Sequence, residues 1–258
     1  MPNHEVGRGR PTDAARLWVG GLPGRIAAKD GRRRVAAQTG TGGGRLQFVG
    51  GSIALDFVNT VGNRLNRLKR RDHIQSIDDL VRWAGLAGIA LPASSVRRPS
   101  ARASRDLLSR ARGLRESLHR LFASVVDAKR PRPTDVAALT GEIRRARAFE
   151  RLVHVGARFE WQPEAGVPSL DRLFAEVALD AADLLVSSRN HDLRRCRDAD
   201  CGWLFLDRSQ GHRRTWCSMA DCGNRSKARR HYALTRREPS PARPRRASRP
   251  GTGLSARG

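Results

Sequence analysis

No run of eighteen apolar residues occurs anywhere in the 258-residue chain, so no segment is long and greasy enough to span a bilayer as a helix. The first residues hold no apolar stretch of signal-peptide length, because LWVGGLP (17–23) is broken by glycine and proline. A cytoplasmic protein without membrane contact is therefore expected, and thiols in that compartment stay reduced. Aromatic residues are scarce at 5%, and the apolar fraction is only 39%. Part of the length is thus not expected to pack, although 258 residues suffice for a domain and a smaller companion. No nucleophile–base pattern surrounds His73, His119, His154 or His191, and a protein without enzymatic activity is expected. The glycine cluster GTGGGR (40–45) precedes no Lys-Ser/Thr and offers no G-x-G-x-x-G spacing, which makes it a flexible linker and not a phosphate loop.

Lysine is nearly missing as well. Lys29, Lys69, Lys129 and Lys227 are the only four, so arginine carries almost all of the formal net charge of +25. That charge sits mainly at the ends. Residues 1–45 have a net charge of +6 and residues 223–258 one of +10, with the remaining +9 spread over the middle of the chain. A field of this shape favours a polyanion as partner, nucleic acid before an anionic membrane surface.

The expected organisation has four parts. Residues 1–45 form a disordered basic segment, 46–190 a helical domain, 191–235 a small module, and 236–258 a disordered basic tail rich in Pro, Ser, Gly and Arg. In the second part, SIDDLVRWAGLAG offers Ser76 as a helix N-cap with Asp79 three residues on, and Gly88 as the stop. Leu107, Leu108, Ala111, Leu114, Leu118, Leu121, Phe122 and Val125 recur at helical spacing between Ser104 and Ala128. Pro131 and Pro133 end that helix. Thr134 is placed to cap the next one, which carries Val136, Leu139, Ile143 and Ala146 on its inner face. RLVHVGARFEWQP (151–163) alternates around Gly156 as a hairpin, and Ser169 is placed to cap a further helix running to about Asn190. Asp56 and Asn59 end an apolar stretch and are candidate ligand-pocket residues for a small-molecule effector; local capping of backbone groups explains them better.

All four cysteines lie within 27 residues, as C-x4-C-x15-C-x4-C: Cys196, Cys201, Cys217 and Cys222. Each close pair aims two thiolates at one centre, and the insert folds the pairs together, which is what tetrahedral zinc needs. Four thiolates fill the shell, so one structural Zn2+ per chain is expected and not a catalytic ion. The alternative is four free thiols with no metal. Trp203, Phe205 and Trp216 can cover one side of the site. Arg195, Arg197, Arg213 and Arg214 stand next to the ligands, where they can offset the net −2 of the metal centre and meet phosphates.

After the last cysteine, NRSKARRHYALTRR has good helix formers and no Pro or Gly. Only Ala228, Tyr232 and Leu234 can pack, and the cations repel one another unless anions lie close. Arg213, Arg214, Asn224, Arg225, Lys227, Arg229 and Arg230 are accordingly candidate nucleic-acid contacts. A solvated basic face is the competing explanation, and DNA cannot be separated from RNA on these residues.

The segment RRCRDADCGWLFLDRSQGHRRTWCSMADCGNRSKARRH closely resembles the CGNR zinc-finger family, named for the quartet at Cys222–Arg225. The region from about Phe48 to Asn190, with ALDFVNT at 54–60, resembles the ABATE domain usually paired with it. The resemblance implies an α+β protein: a mainly helical regulatory domain with a small hairpin, then a four-cysteine zinc module of hairpin and basic helix. It further implies a bacterial-type, stress-linked transcription regulator that binds DNA through the zinc module and either senses a ligand or assembles, for instance as a homodimer, through the helical domain. An RNA-binding or ribosome-associated zinc module is the alternative.

Overall fold

The computed structural model describes residues 46–91, 99–164 and 167–235. The linker expected before Leu46 and the disordered tail expected after residue 235 lie outside these residues. The chain begins with a short helix, α1 (Ile53–Val58), capped by Ser52 in an extended conformation. Ala54, Leu55, Phe57 and Val58 are all fully buried, so the second apolar burst of the sequence is a helix wrapped on every side. A two-residue ladder follows, β1 (Val61–Gly62) against β2 (Arg71–Asp72). Helix α2 (Ile77–Leu86) has the expected capping box between Ser76 and Asp79, and Gly88 leaves it at φ 79°.

Helix α3 (Ala101–Val126) begins earlier than its apolar periodicity suggests, because Ser100 accepts from the Ala103 N–H and caps it. Ala111, Leu114, Leu118, Leu121 and Phe122 are buried along its inner face, whereas Val125, near its end, is exposed. Helix α4 (Pro133–Ala148) starts with Pro133 in the first turn and Arg132 in the cap position, so Thr134 lies inside the helix and does not cap it. Proline fits that first turn because its missing N–H has no helical acceptor there. Val136 faces solvent and lines a shallow open groove of about 540 Å³ with Arg130 and Arg144. Strands β3 (Glu150–Val155) and β4 (Arg158–Pro163) pair antiparallel around Gly156, in the hairpin expected. Helix α5 (Ser169–Val186) has Pro168, not Ser169, in its cap position. Its Leu173, Phe174, Val177, Ala178, Ala181 and Leu184 are buried at the centre of the core. A 3-10 turn (Ser188–Asp192) leads to β5 (Leu193–Arg195), which pairs antiparallel with β6 (Leu204–Leu206); a π-type turn (Met219–Gly223) then opens α6 (Asn224–Thr235). The architecture is the expected α+β arrangement, mainly helical with small antiparallel hairpins. Among the described residues, no helix is long and apolar enough to cross a membrane.

Charged side chains tie the helices. Arg110 of α3 reaches Glu142 of α4 at 2.6 Å and Asp171 of α5 at 2.5 Å, with its guanidinium 4.2 Å from the centre of the Phe174 ring. Arg115, buried in α3, takes both oxygens of Asp72 at 2.8 and 2.7 Å and so fixes the β1–β2 ladder. A buried guanidinium is tolerable only with such bidentate pairing.

The C-terminal module is packed onto this body and is not tethered beside it. Leu193, Leu204 and Leu206 belong to the same apolar core as α1, α3 and α5. The Asn59 amide joins the two parts: its Nδ2 donates to the Leu204 carbonyl at 2.8 Å, and its Oδ1 accepts from the Leu204 N–H at 3.0 Å. The Leu206 N–H donates to the Gly50 carbonyl at 2.8 Å, and the Trp203 indole to the Val61 carbonyl at 2.7 Å. Gly202, at φ 71°, lets the loop at 64–65 come close, since a Cβ there would lie 3.0 Å from Leu65 Cγ. His119 stands against Gly202, and burial pushes its imidazole down to about 4, which keeps it neutral.

Asp56 and Asn59 are both backbone partners. The Asp56 Oδ1 accepts from the Gly50 N–H at 2.8 Å. Burial pushes the Asp56 carboxyl up to about 7, against the lowering effect of that Gly50 bond. From 3.8 to about 7 the folded protein therefore holds a proton that the unfolded chain has released, so this residue's contribution to stability falls as pH rises through that window and levels off above it. Asp56→Asn keeps an oxygen for Gly50 and is expected to gain on wild type by about 1 kcal/mol per pH unit between pH 5 and 7. Urea unfolding of both proteins across that range measures this; a gap independent of pH would mean that Asp56 is ionised in the fold. Asn59→Ala leaves the Leu204 N–H and carbonyl buried without partners, at a cost of about 3 kcal/mol. Thermal unfolding should show one transition, lowered as a whole; loss of only the C-terminal part would show that the two regions melt separately.

Candidate metal centre and basic helix

Local chain geometry brings the four cysteines together. Cys196 leaves β5 with its N–H donating to the Trp203 carbonyl at 2.8 Å, and the Cys201 N–H turns back to the Asp198 carbonyl at 3.1 Å. Asp207, fully buried after β6, folds the insert: one carboxylate oxygen accepts from the Ser209 N–H and hydroxyl at 3.0 and 2.6 Å, the other from the Arg214 N–H at 2.9 Å. The chain then returns to Cys217, and Ser218 caps the turn that presents Cys222 by accepting from the Asp221 N–H. The result is one cluster of four buried sulfurs, all within 4.8 Å of one another.

The donor set fits zinc. Cys201 and Cys217 are 3.6 Å apart at sulfur, Cys217 and Cys222 3.5 Å. A tetrahedron with Zn–S bonds of about 2.3 Å has edges of about 3.8 Å. All four cysteines are free thiols, so no disulfide competes for them. Four thiols this close cannot all ionise unaided. S–H donation from Cys201, Cys217 and Cys222 draws the Cys196 thiol far down, while donating to Cys196 holds Cys201 and Cys217 far up. A divalent cation removes that conflict by binding all four as thiolates. Trp203, Phe205, Val49 and Trp216 pack around the cluster as the dry cover expected of the tryptophans and Phe205. With four protein ligands the shell is closed, which suits a structural ion. Among the described residues, no other group of His, Cys, Asp and Glu side chains is arranged to hold a metal.

The candidate nucleic-acid residues divide into two sets. Arg214 turns inward, with its guanidinium 4.3 Å from the centre of the Phe205 ring; it donates to the carbonyls of Val49 at 3.0 Å, Trp216 at 3.1 Å and Cys217. The Asn224 amide donates back to the Ala220 carbonyl at 2.9 Å. Arg225 donates to the Cys222 sulfur at 3.0 Å and to Asp198 at 3.3 Å, and Arg229 reaches Asp198 at 3.5 Å and Asp200 at 2.8 Å. Arg213, Lys227 and Arg230 form the second set, exposed and without an acidic partner among the described residues. Lys227 and Arg230 lie about 200° and 140° around the helix from Arg225, at about 100° per residue. Of the residues flanking the first ligand, Arg195 pairs with Asp127 at 3.1 Å and Arg197 is exposed.

Helix α6 buries none of its residues. Ala228, Tyr232 and Leu234, expected to pack, all face solvent, because the helix stands on its base and lays no face on the body. Sequence reasoning missed Asp198 and Asp200. Their signal was present: two aspartates inside the first four-residue gap, and two arginines at i,i+4 after the last ligand.

Two family models match the chain. ABATE, described as "Putative stress-induced transcription regulator", covers residues 51–188, and the CGNR zinc finger covers residues 193–235. No curated protein matches it. With more than half of its length under the first of these models and a four-cysteine centre under the second, the chain belongs to the ABATE family and carries a CGNR zinc finger.

Proposed function

We propose that this protein is a non-enzymatic, zinc-dependent transcription regulator of the cytoplasm that binds DNA through α6. One observation carries this reading: a helix with no buried residue leaves the metal centre and presents Lys227, Arg230 and His231 on the face opposite its anchoring arginines. A bare α-helix about 10–12 Å across fits a major groove about 12 Å wide. Exposed cations that have no acidic partner among the described residues are suited to phosphates on such a helix, and Arg213 at the insert adds another. The family description supports the regulatory and stress-linked part of the reading. The helical region would receive the signal, as an effector or through assembly of two copies, and its shared core with the finger supplies a rigid route for it.

Metal analysis should find one zinc per chain, and Cys217→Ser should lose it and lower the single thermal transition of the protein; a fully folded wild type without zinc would sink the metal centre. Lys227→Ala combined with Arg230→Ala should weaken duplex DNA binding and lower the log–log salt slope by about 0.9 for each phosphate no longer neutralised. Titrations against duplex DNA and structured RNA at matched salt give the comparison. Unchanged DNA affinity and slope would remove the outer face of α6 from the interface, and preference for the RNA would move the protein to the other nucleic acid.

A further inference from the structure

We infer that Arg225 is the positioning residue that couples α6 to the metal centre, so that the direction of the helix follows metal occupancy. The inference concerns the helix and the metal alone and holds whatever α6 binds. Helix α6 starts immediately after Gly223, has no buried residue, and among the described residues packs mainly on the turn that precedes it. Among the described residues, its side-chain bonds to the rest of the chain come from Asn224, Arg225 and Arg229. Asn224 reaches only the adjacent turn. The direction of the helix therefore depends on the two arginines.

Arg225 bridges two separate parts of the metal centre. Its Nη2 lies 3.0 Å from the sulfur of Cys222, the last ligand, and its Nε lies 3.3 Å from Asp198, inside the loop between the first two ligands. The Asp198 side chain is fully buried, and its other oxygen accepts from the Asp200 N–H at 3.0 Å, so its position is fixed by the loop. Arg229 repeats the contact one turn later against Asp198 and Asp200. A guanidinium carries several N–H donors in one rigid plane and can serve a sulfur and a carboxylate together, which an ammonium cannot do in this geometry. Four thiolates on Zn2+ carry a net −2, and a cation hydrogen-bonded to one sulfur offsets part of it. When the metal leaves, the Cys222 sulfur is no longer held at a fixed corner of the cluster; Arg225 keeps Asp198 but loses its fixed contact with the last ligand, and the hold of α6 on the metal centre weakens.

The test uses the whole protein. Arg225→Ala loaded with Co2+ should show its thiolate-to-cobalt charge-transfer band at lower energy than wild type, because an unbonded thiolate gives up its electron more easily. With Zn2+ bound, transfer of the metal to a chromophoric chelator should speed up by about tenfold or more. Amide hydrogen exchange in α6 should rise towards that of the metal-free protein. Arg225→Lys should fall between the two on all three readouts, and Lys227→Ala, on the outer face, should match wild type. An unshifted band with an unchanged transfer rate in Arg225→Ala overturns the inference. Where that variant does not load metal, Asp198→Asn decides: faster exchange in α6 with an unshifted band supports the coupling, and wild-type protection of α6 refutes it.

Discussion

Four thiolates sharing one small buried volume set the terms for the module at residues 193–235. Left as thiols, the cysteines compete for the same protons, with Cys196 driven towards the anion and Cys201 and Cys217 away from it. Held as thiolates by a divalent ion, they carry excess negative charge in a site closed by Trp203, Phe205 and Trp216. Both conditions call for cations and donors placed around the sulfurs, and the neighbouring residues supply them. Arg214 lies across Phe205 and donates to the Cys217 carbonyl, and Arg225 donates to the Cys222 sulfur. The quartet from Cys222 to Arg225 is spent inside the module: a ligand, a glycine whose added Cβ would meet Met219, an amide returned to Ala220, and a guanidinium on the ligand sulfur.

The same centre is fastened to the helical body at several depths. In the core, Leu204 and Leu206 pack with α1, α3 and α5, and Asn59 closes both hydrogen bonds of Leu204. Nearer the surface, the loop after β1 grips the first ligand pair: the Arg64 N–H donates to the Cys201 carbonyl at 2.9 Å and the Leu65 N–H to the Asp200 carbonyl at 3.1 Å. The Asp200 side chain then takes Asn66 and Lys69 from that loop on one side and Arg229 of α6 on the other. A single carboxylate thus touches both the helical region and the basic helix. The boundary at residue 190, drawn from where the cysteines begin, divides the chain by sequence; physically the two parts share one interior.

How much of this was legible depended on whether a feature is local. The ligand set was readable because zinc demands paired thiolates, and the pairs are close in sequence. The capping box of α2 and the inner face of α3 were readable because helix geometry puts their partners three or four residues apart. Thr134 and Ser169 misled for the same local reason: each is a good cap by residue type, but a proline at the first turn or at the cap itself had already set the helix start. Helix α1 was hidden, since a helix buried on all sides has no polar face to give a period. Asp56 and Asn59 stood out as polar residues in an apolar stretch, and capping named their role, but the partner of Asn59 lies 145 residues away. The internal pairing of Arg214, Arg225 and Arg229 was equally out of reach, because a cation's use is decided by the acceptors that folding brings to it.

That last point bears on how a chain so rich in arginine should be read. A count of cations after the final cysteine treats each one as available to a phosphate, yet the fold divides them by chemistry. Guanidinium groups occupy positions where one side chain must satisfy two or more acceptors at fixed angles: Arg225 between a sulfur and Asp198, Arg229 between Asp198 and Asp200, Arg214 among backbone carbonyls. The single lysine of this region, Lys227, faces outward, where a mobile, strongly hydrated point charge costs least to keep in water. Each internal pair also cancels charge that would otherwise repel its neighbours along α6, which is how a helix of net positive charge forms before any polyanion arrives. The outward charge that remains is smaller than the sequence total suggests, but it is held in one direction by a base built on the metal centre.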